Sequence, residues 1–164
     1  MNISFEFDEN AGEIREGNIR YLLMRPDVLM GMVEYLDEPT MTKVLLALQK
    51  SAFENGRASL RQYNELDFAS DNEKLSFVCK TAAKLGWGNL TYTLNRHDDP
   101  TFTLTNSPFA KGHGISKVPV CAPMAGILNA LMEVFFESNA TVKEVYCASQ
   151  GQDYCLFEVR SSSE

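Results

Sequence analysis

The chain has 164 residues, 45% hydrophobic and 23% charged, a composition that supports one ordinary folded core and argues against disorder. A formal net charge of −7 with scattered basic residues excludes a nucleic-acid-binding surface, because phosphate contacts need clustered Lys and Arg. No stretch approaches the ~20 apolar residues of a membrane span. The first nine residues have neither the basic start nor the apolar run of a secretory signal, so the expected location is the cytoplasm, where thiols stay reduced.

Ile3, Phe5 and Phe7 alternate with polar residues, as in a half-buried strand. A turn at residues 8–12 lets Glu13 to Arg15 pair back. Pro26 opens a helix with an apolar stripe of Val28, Leu29, Met32, Val33 and Leu36, and Pro39 is expected to end it. A second helix starts near Thr40 and carries Met41, Val44, Leu45, Leu48 and Ala52, with Gly56 as its stop. Leu60, Tyr63 and Leu66 mark a further helical piece. Ser70 with Glu73 forms a capping box for a third helix, striped by Leu75, Val78, Cys79, Ala82 and Leu85 and closed by Gly86.

Beyond Gly86 the period drops to two. Leu90, Tyr92 and Leu94 alternate with threonines, as do Phe102 and Leu104, and together they predict a hairpin across the Asp98-Asp99-Pro100 turn. Residues 106–118 read as a Gly-containing loop. Pro123 opens a fourth helix with Met124, Ile127, Leu128, Leu131 and Phe135 on its stripe. Two strands, about 141–147 and 154–160, flank a turn at Ser149 to Asp153. Short turns between strands imply an antiparallel sheet with helices packed on it, an α+β fold, in a single domain over residues 1–160 with a disordered tail at 161–164.

The last 45 residues hold Cys121-x22-Glu144-x2-Cys147-x7-Cys155. Thiolates suit zinc, and four ligands match a closed structural tetrahedron rather than a catalytic site with a free position. Cys121 precedes the helix opened by Pro123, and a hairpin brings Cys147 and Cys155 together. Glu144 and Cys147, three apart, would face opposite sides of a regular strand, so a bulge or the strand end near Tyr146 must re-aim one of them. The alternative is three ordinary buried thiols.

The stretch Val118 to Arg160, with Val120-Cys121 leading into Ala125-Gly126-Ile127-Leu128 and ending Cys147-Ala148-Ser149-Gln150-Gly151-Gln152-Asp153-Tyr154-Cys155, resembles the 4-vinyl-reductase domain family. Similarity in element order extends over most of the rest, including Gly17-Asn18-Ile19-Arg20-Tyr21-Leu22. The resemblance implies structural zinc on Cys121, Glu144, Cys147 and Cys155, as in the family's aromatic-sensor members. It also implies a fold shared with haem-type nitric oxide sensors and Golgi transport-complex subunits, an apolar cavity, and a homodimer. Phenol sensors of the family grip the ligand hydroxyl with a Trp and a His. Here that pair has no counterpart: the only Trp is Trp87, and the only histidines, His97 and His113, fall at loop positions, so a bulkier or more apolar ligand is expected, lined from Met24, Met32, Leu48, Tyr92, Phe102, Met124, Leu128 and Phe135.

His113, between two glycines, reads as a surface histidine, and Cys79 reads as a core cysteine on its helix stripe. The function implied is a binding module for an apolar small molecule or a tetrapyrrole, acting as carrier, sensor or assembly factor through a partner protein. The alternatives are an enzyme or subunit acting on a tetrapyrrole vinyl group, or a pure interaction subunit. No catalytic residue, nucleotide fingerprint or phosphate loop is found.

Overall fold

The computed structural model describes residues 4–94 and 100–160. His97, Asp98-Asp99, Ile3 and the tail expected at 161–164 lie outside the described residues.

Three short strands come first: β1 (Glu6–Asp8), β2 (Glu13–Glu16) and β3 (Ile19–Tyr21). They form an antiparallel meander with Phe7 opposite Ile14 and Ile14 opposite Tyr21. The turn between β1 and β2 is built by Asp8, whose carboxylate accepts from the backbone N–H groups of Asn10 and Ala11. The third strand carries too few residues for a period-two signal and was not expected from the sequence.

Helix α1 (Pro26–Gly31) gives way to a 3-10 turn over Met32–Tyr35, and α2 then runs unbroken from Glu38 to Asn64. Two sequence expectations are corrected here. Pro39 does not end a helix; it sits in the first turn of α2, where its missing N–H has no partner to lose, behind the Asp37 cap that accepts from Thr40 N at 2.8 Å. Gly56 does not stop the helix either. It lies buried inside α2, and a Cβ there would strike Ile127. The glycine is a packing residue, and the two helical pieces are one.

Helix α3 (Asp71–Lys84) starts at the Ser70–Glu73 capping box, with Ser70 Oγ accepting from Glu73 N and Glu73 Oε2 accepting from Ala69 N. The second sheet follows: β4 (Asn89–Leu94), β5 (Pro100–Thr105), β6 (Thr141–Tyr146) and β7 (Cys155–Arg160), all antiparallel in the order β4-β5-β7-β6. Between β5 and β6 come α4 (Pro108–His113) and α5 (Ala122–Phe136). The loop expected at 106–118 therefore holds a short helix, capped by Ser107 and opened by Pro108. Six residues are too few to show helical periodicity, although a Ser-Pro start carries a signature of its own.

The α+β class with antiparallel sheets holds, in two sheets rather than one. No helix of the described residues is long and apolar enough to cross a membrane. Helix α5 is the centre of the core, with Met124, Leu128, Ala130 and Leu131 fully buried, and it crosses α2 at very close range. At Gly126 the two backbones nearly touch: an added Cβ would meet the Gln49 carbonyl oxygen, the Ala52 methyl and the Phe53 amide nitrogen. Such overpacking cannot relax into a flexible side chain. Gly126→Ala should lower stability by ~1–3 kcal/mol. Gly31→Ala, at a helical glycine with open space around it, should raise stability by ~0.5–1 kcal/mol. Urea midpoints of the two variants check both signs.

Candidate functional site

Cys121, Glu144, Cys147 and Cys155 are all buried, and their ligand atoms lie within 4.8 Å of one another. Each arrives by a different local device. Cys121 caps α5, and its thiol is 3.5 Å from that of Cys155, the first residue of β7. Glu144 points inward from β6, like Val142 before it. A bulge at Val145 then resets the strand. Glu144 pairs with Phe157 and Tyr146 with Leu156, so Val145 is the extra residue, and Cys147 comes back to the inner face. The three-residue spacing that a regular strand could not serve is served by this bulge.

Around the thiols is a shell of hydrogen-bond donors that the sequence reading missed. Ser107 Oγ lies 3.1 Å from the Cys121 thiol while it caps α4, accepting from Ala110 N. Cys121 N donates to Glu144 Oε2 at 2.9 Å, and Ala148 N donates to Cys155 Sγ at 3.3 Å. Such donors offset negative charge on sulfur and oxygen in a dry site. Glu144 Oε1, in contrast, is buried with no partner.

The four groups cannot all ionise together without a cation. Hydrogen bonds from the Cys121 and Cys155 thiols hold Cys147 far below the usual thiol range, as does the Val120 amide. The same bond to Cys147, followed by that to Cys155 and by burial, pushes the Cys121 thiol far up. Burial, then the Cys147 charge, pushes Glu144 up to about 8. Without a cation, ionisation of any one of these groups thus disfavours ionisation of the others. A divalent cation would replace their protons, and soft thiolates with one carboxylate suit zinc. The orphaned Glu144 Oε1 and the donor shell fit such an ion.

A second feature lies on the other side of α5. A cavity of about 680 Å³ opens between α2, α3, α5 and β3. Its depth is apolar, with Val78, Leu90, Phe109, Met124 and Ile127, and Trp87 stands in its wall. Of the apolar positions expected to line a pocket, Leu48 and Met124 do so. Phe102, Leu128 and Phe135 are packed into the core, and the Tyr92 hydroxyl bonds Asn72 at 2.6 Å. Met24 and Met32 face outward, in a strip with Leu22, Leu23, Val28 and Tyr35 that leaves large apolar side chains exposed. A helical or apolar stripe in sequence does not tell a core face from an uncovered one. Trp87 was missed because it follows Gly86 at a helix end, outside any periodic run.

Cys79 is half-buried against the core, as expected, and burial pushes its thiol to about 11. His113 is not the open surface residue expected. It is half-buried at the end of α4, with both ring nitrogens shielded and unpartnered.

Residues 100–161 match the model of the 4-vinyl-reductase domain, a span that contains all four clustered residues. Over that span the chain is similar to a 4-vinyl-reductase domain. An uncharacterized protein of Methanocaldococcus jannaschii is 44% identical over 46 residues, which is 28% of this chain and 28% of that protein. The chain thus aligns with little more than a quarter of that relative's length. Among solved structures, the phenol-responsive sensory domain of the transcription activator PoxR, crystallised with phenol, superposes with a TM-score of 0.80 at 19% identity, over 96% of this chain and 84% of that one. A trafficking protein particle complex subunit 3 from Naegleria fowleri, covalently bound to palmitic acid, gives 0.62 at 12% identity, over 84% and 95%. A vinyl-4-reductase family protein from M. jannaschii gives 0.54 at 22% identity, over 83% and 76%. These likenesses establish the fold.

Burial of the cluster makes a direct prediction for its thiols. In the folded protein a thiol reagent such as Ellman's should label at most Cys79, slowly, because its thiol is half-shielded and weakly acidic. After unfolding in guanidinium with a chelator, all 4 cysteines should react, as absorbance at the released thiolate's band would count.

Proposed function

We propose that this 4-vinyl-reductase domain is a zinc-stapled module that binds an apolar small molecule in the cavity between α2, α3 and α5. The observation that carries the reading is the cavity itself. Its volume of about 680 Å³ falls in the range of ligand sites, and its wall is mainly apolar with a few polar groups. Two proteins of this fold were captured with guests, one with phenol and one with covalently attached palmitic acid. No cysteine of the described residues lines this cavity, so the guest is held here without a covalent bond.

Zinc on Cys121, Glu144, Cys147 and Cys155 would tie the start of α5 to the β6–β7 hairpin. Four protein ligands leave no open position, so the role is structural. Binding must release thiol and carboxyl protons, so zinc affinity falls as pH falls. The exposed strip through Leu22, Leu23, Val28 and Tyr35 supports a homodimer or a docked partner protein that conveys occupancy onward. A tetrapyrrole remains within the class of guests. It would be held by shape, since the cavity wall offers no histidine or cysteine as an axial ligand among the described residues.

Protein purified without added metal should contain about one zinc per chain by elemental analysis. Cys147→Ser should lose it and melt on the order of 10 °C lower. Zinc-free protein that melts at the same temperature would sink the staple. Titration with apolar guests should change the emission of Trp87, the only tryptophan in the sequence, and a porphyrin guest would add a shifted Soret band. Unchanged emission with every guest, and no protection against heating, would sink the binding reading. Light scattering in the same session should give twice the chain mass.

A further inference from the structure

The cavity wall is not uniformly greasy. Apart from Thr81 on α3, its buried residues are apolar, while Asn18 in the turn before β3, Arg20 on β3, and Ser51 and Asn55 on α2 are exposed and stand at its mouth. Beside them Tyr21 and Tyr63 also line the cavity, one from β3 and one from α2. Both hydroxyls donate to the same oxygen of Glu16, Tyr63 at 2.8 Å and Tyr21 at 3.4 Å. The Tyr63 bond joins the β1–β3 meander to α2 across 47 residues of sequence.

The charges at this mouth already have partners. Arg20 reaches Glu13 at 3.2 Å, and Glu13 also takes Arg15. Glu16 is occupied by the two tyrosines and does not itself line the cavity. A carboxylate head would share Arg20 with Glu13 and enter a chain of net charge −7. An ammonium head would meet Arg20 before any carboxylate. The groups left with capacity are neutral: each tyrosine oxygen, having donated its proton, can still accept, the Asn18 side chain can donate or accept, and Asn55, whose amide N–H groups go to the Ser51 carbonyl and hydroxyl oxygens, can still accept.

We infer that the cavity takes an uncharged amphiphile, with its apolar body along Val78, Met124 and Ile127 and a hydroxyl- or amide-type head seated at the Tyr21–Tyr63 pair beneath β3. This rests on the reading of the cavity as a ligand site. Tyr63 and Tyr21 are then the residues that set head-group specificity. Because one sits on β3 and the other on α2, a seated head bridges the meander to the helix layer. Tyr63 is well suited to a clean test, since its ring packs edge-on against Phe77 at 5.2 Å and Tyr63→Phe keeps that contact.

The experiment uses the full chain and the neutral fluorophore N-phenyl-1-naphthylamine, displaced by decanol, decanoate or decylammonium. Decanol should displace it at roughly ten-fold lower concentration than either charged analogue. Tyr63→Phe should weaken decanol roughly five- to ten-fold, and weaken decanoate, decylammonium and the fluorophore, which carry no hydroxyl head, by less. Tyr21→Phe should act in the same direction. Decanoate or decylammonium matching decanol would overturn the inference while leaving the cavity reading intact, as would a Tyr63→Phe effect equal for all guests. Failure of the fluorophore and of all three alkyl compounds to bind would overturn both.

Discussion

Three thiols and a carboxyl group cannot share a dry pocket unless protons or a cation hold them together, and much of the chain beyond β5 is arranged around that requirement. The cluster draws on the cap of α5, the inner face of β6, the residue after its bulge and the first residue of β7. It also recruits the cap of α4 through Ser107 and the 3-10 turn at Ala148–Gln150 through the Ala148 amide. The start of α5, the cap of α4, the 3-10 turn and the β6–β7 hairpin are thereby fixed to one point. The backbone amides and the Ser107 hydroxyl have two roles, ending helices and turns while solvating sulfur.

The cluster and the cavity are neighbours through α5. Cys121 caps the helix on one side, and Pro123 and Met124 in its first turn form cavity wall on the other. Gly126, one turn on, lets α2 come close enough to supply the opposite wall with Leu48, Ser51 and Asn55. The position of that first turn is therefore set from both directions, by the ligand atoms at its cap and by the backbone of α2 behind it. A shift at either would alter the cavity's shape without touching any residue that faces a guest.

Much of this was legible in the sequence where the signal is local and chemical. The Ser70–Glu73 box, the Thr-rich β4–β5 pair, the stripe of α5 and the Cys-Glu-Cys-Cys spacing each follow from side-chain chemistry at short range, and each corresponds to an element or a cluster in the fold. The need for a bulge near Tyr146 was legible too, because strand alternation and the spacing conflict. What did not show was anything decided by a distant neighbour. Gly56 reads as a helix stop until Ile127 is known to occupy its missing side chain's place. Pro39 reads as a terminator until the helix is seen to begin before it. Met24 and Met32 read as lining because hydrophobicity alone carries no direction, and the cavity's tyrosine pair depends on a three-residue strand too short to announce itself.

The bulge at Val145 has a consequence for how this region can vary in length. Removing that one residue would leave Glu144 and Cys147 two apart, a spacing at which a regular strand already puts both on one face. Pairing between β6 and β7 would survive and even become more regular. The strand would lose the bend and extra twist that the bulge introduces there, however, and these are part of what aims Cys147 toward Cys121 and Cys155. A single-codon deletion here would thus be silent for the pairing and felt in the aim of the thiol. The turn beyond Gly151, whose residues up to Tyr154 are exposed, can change length with far less penalty.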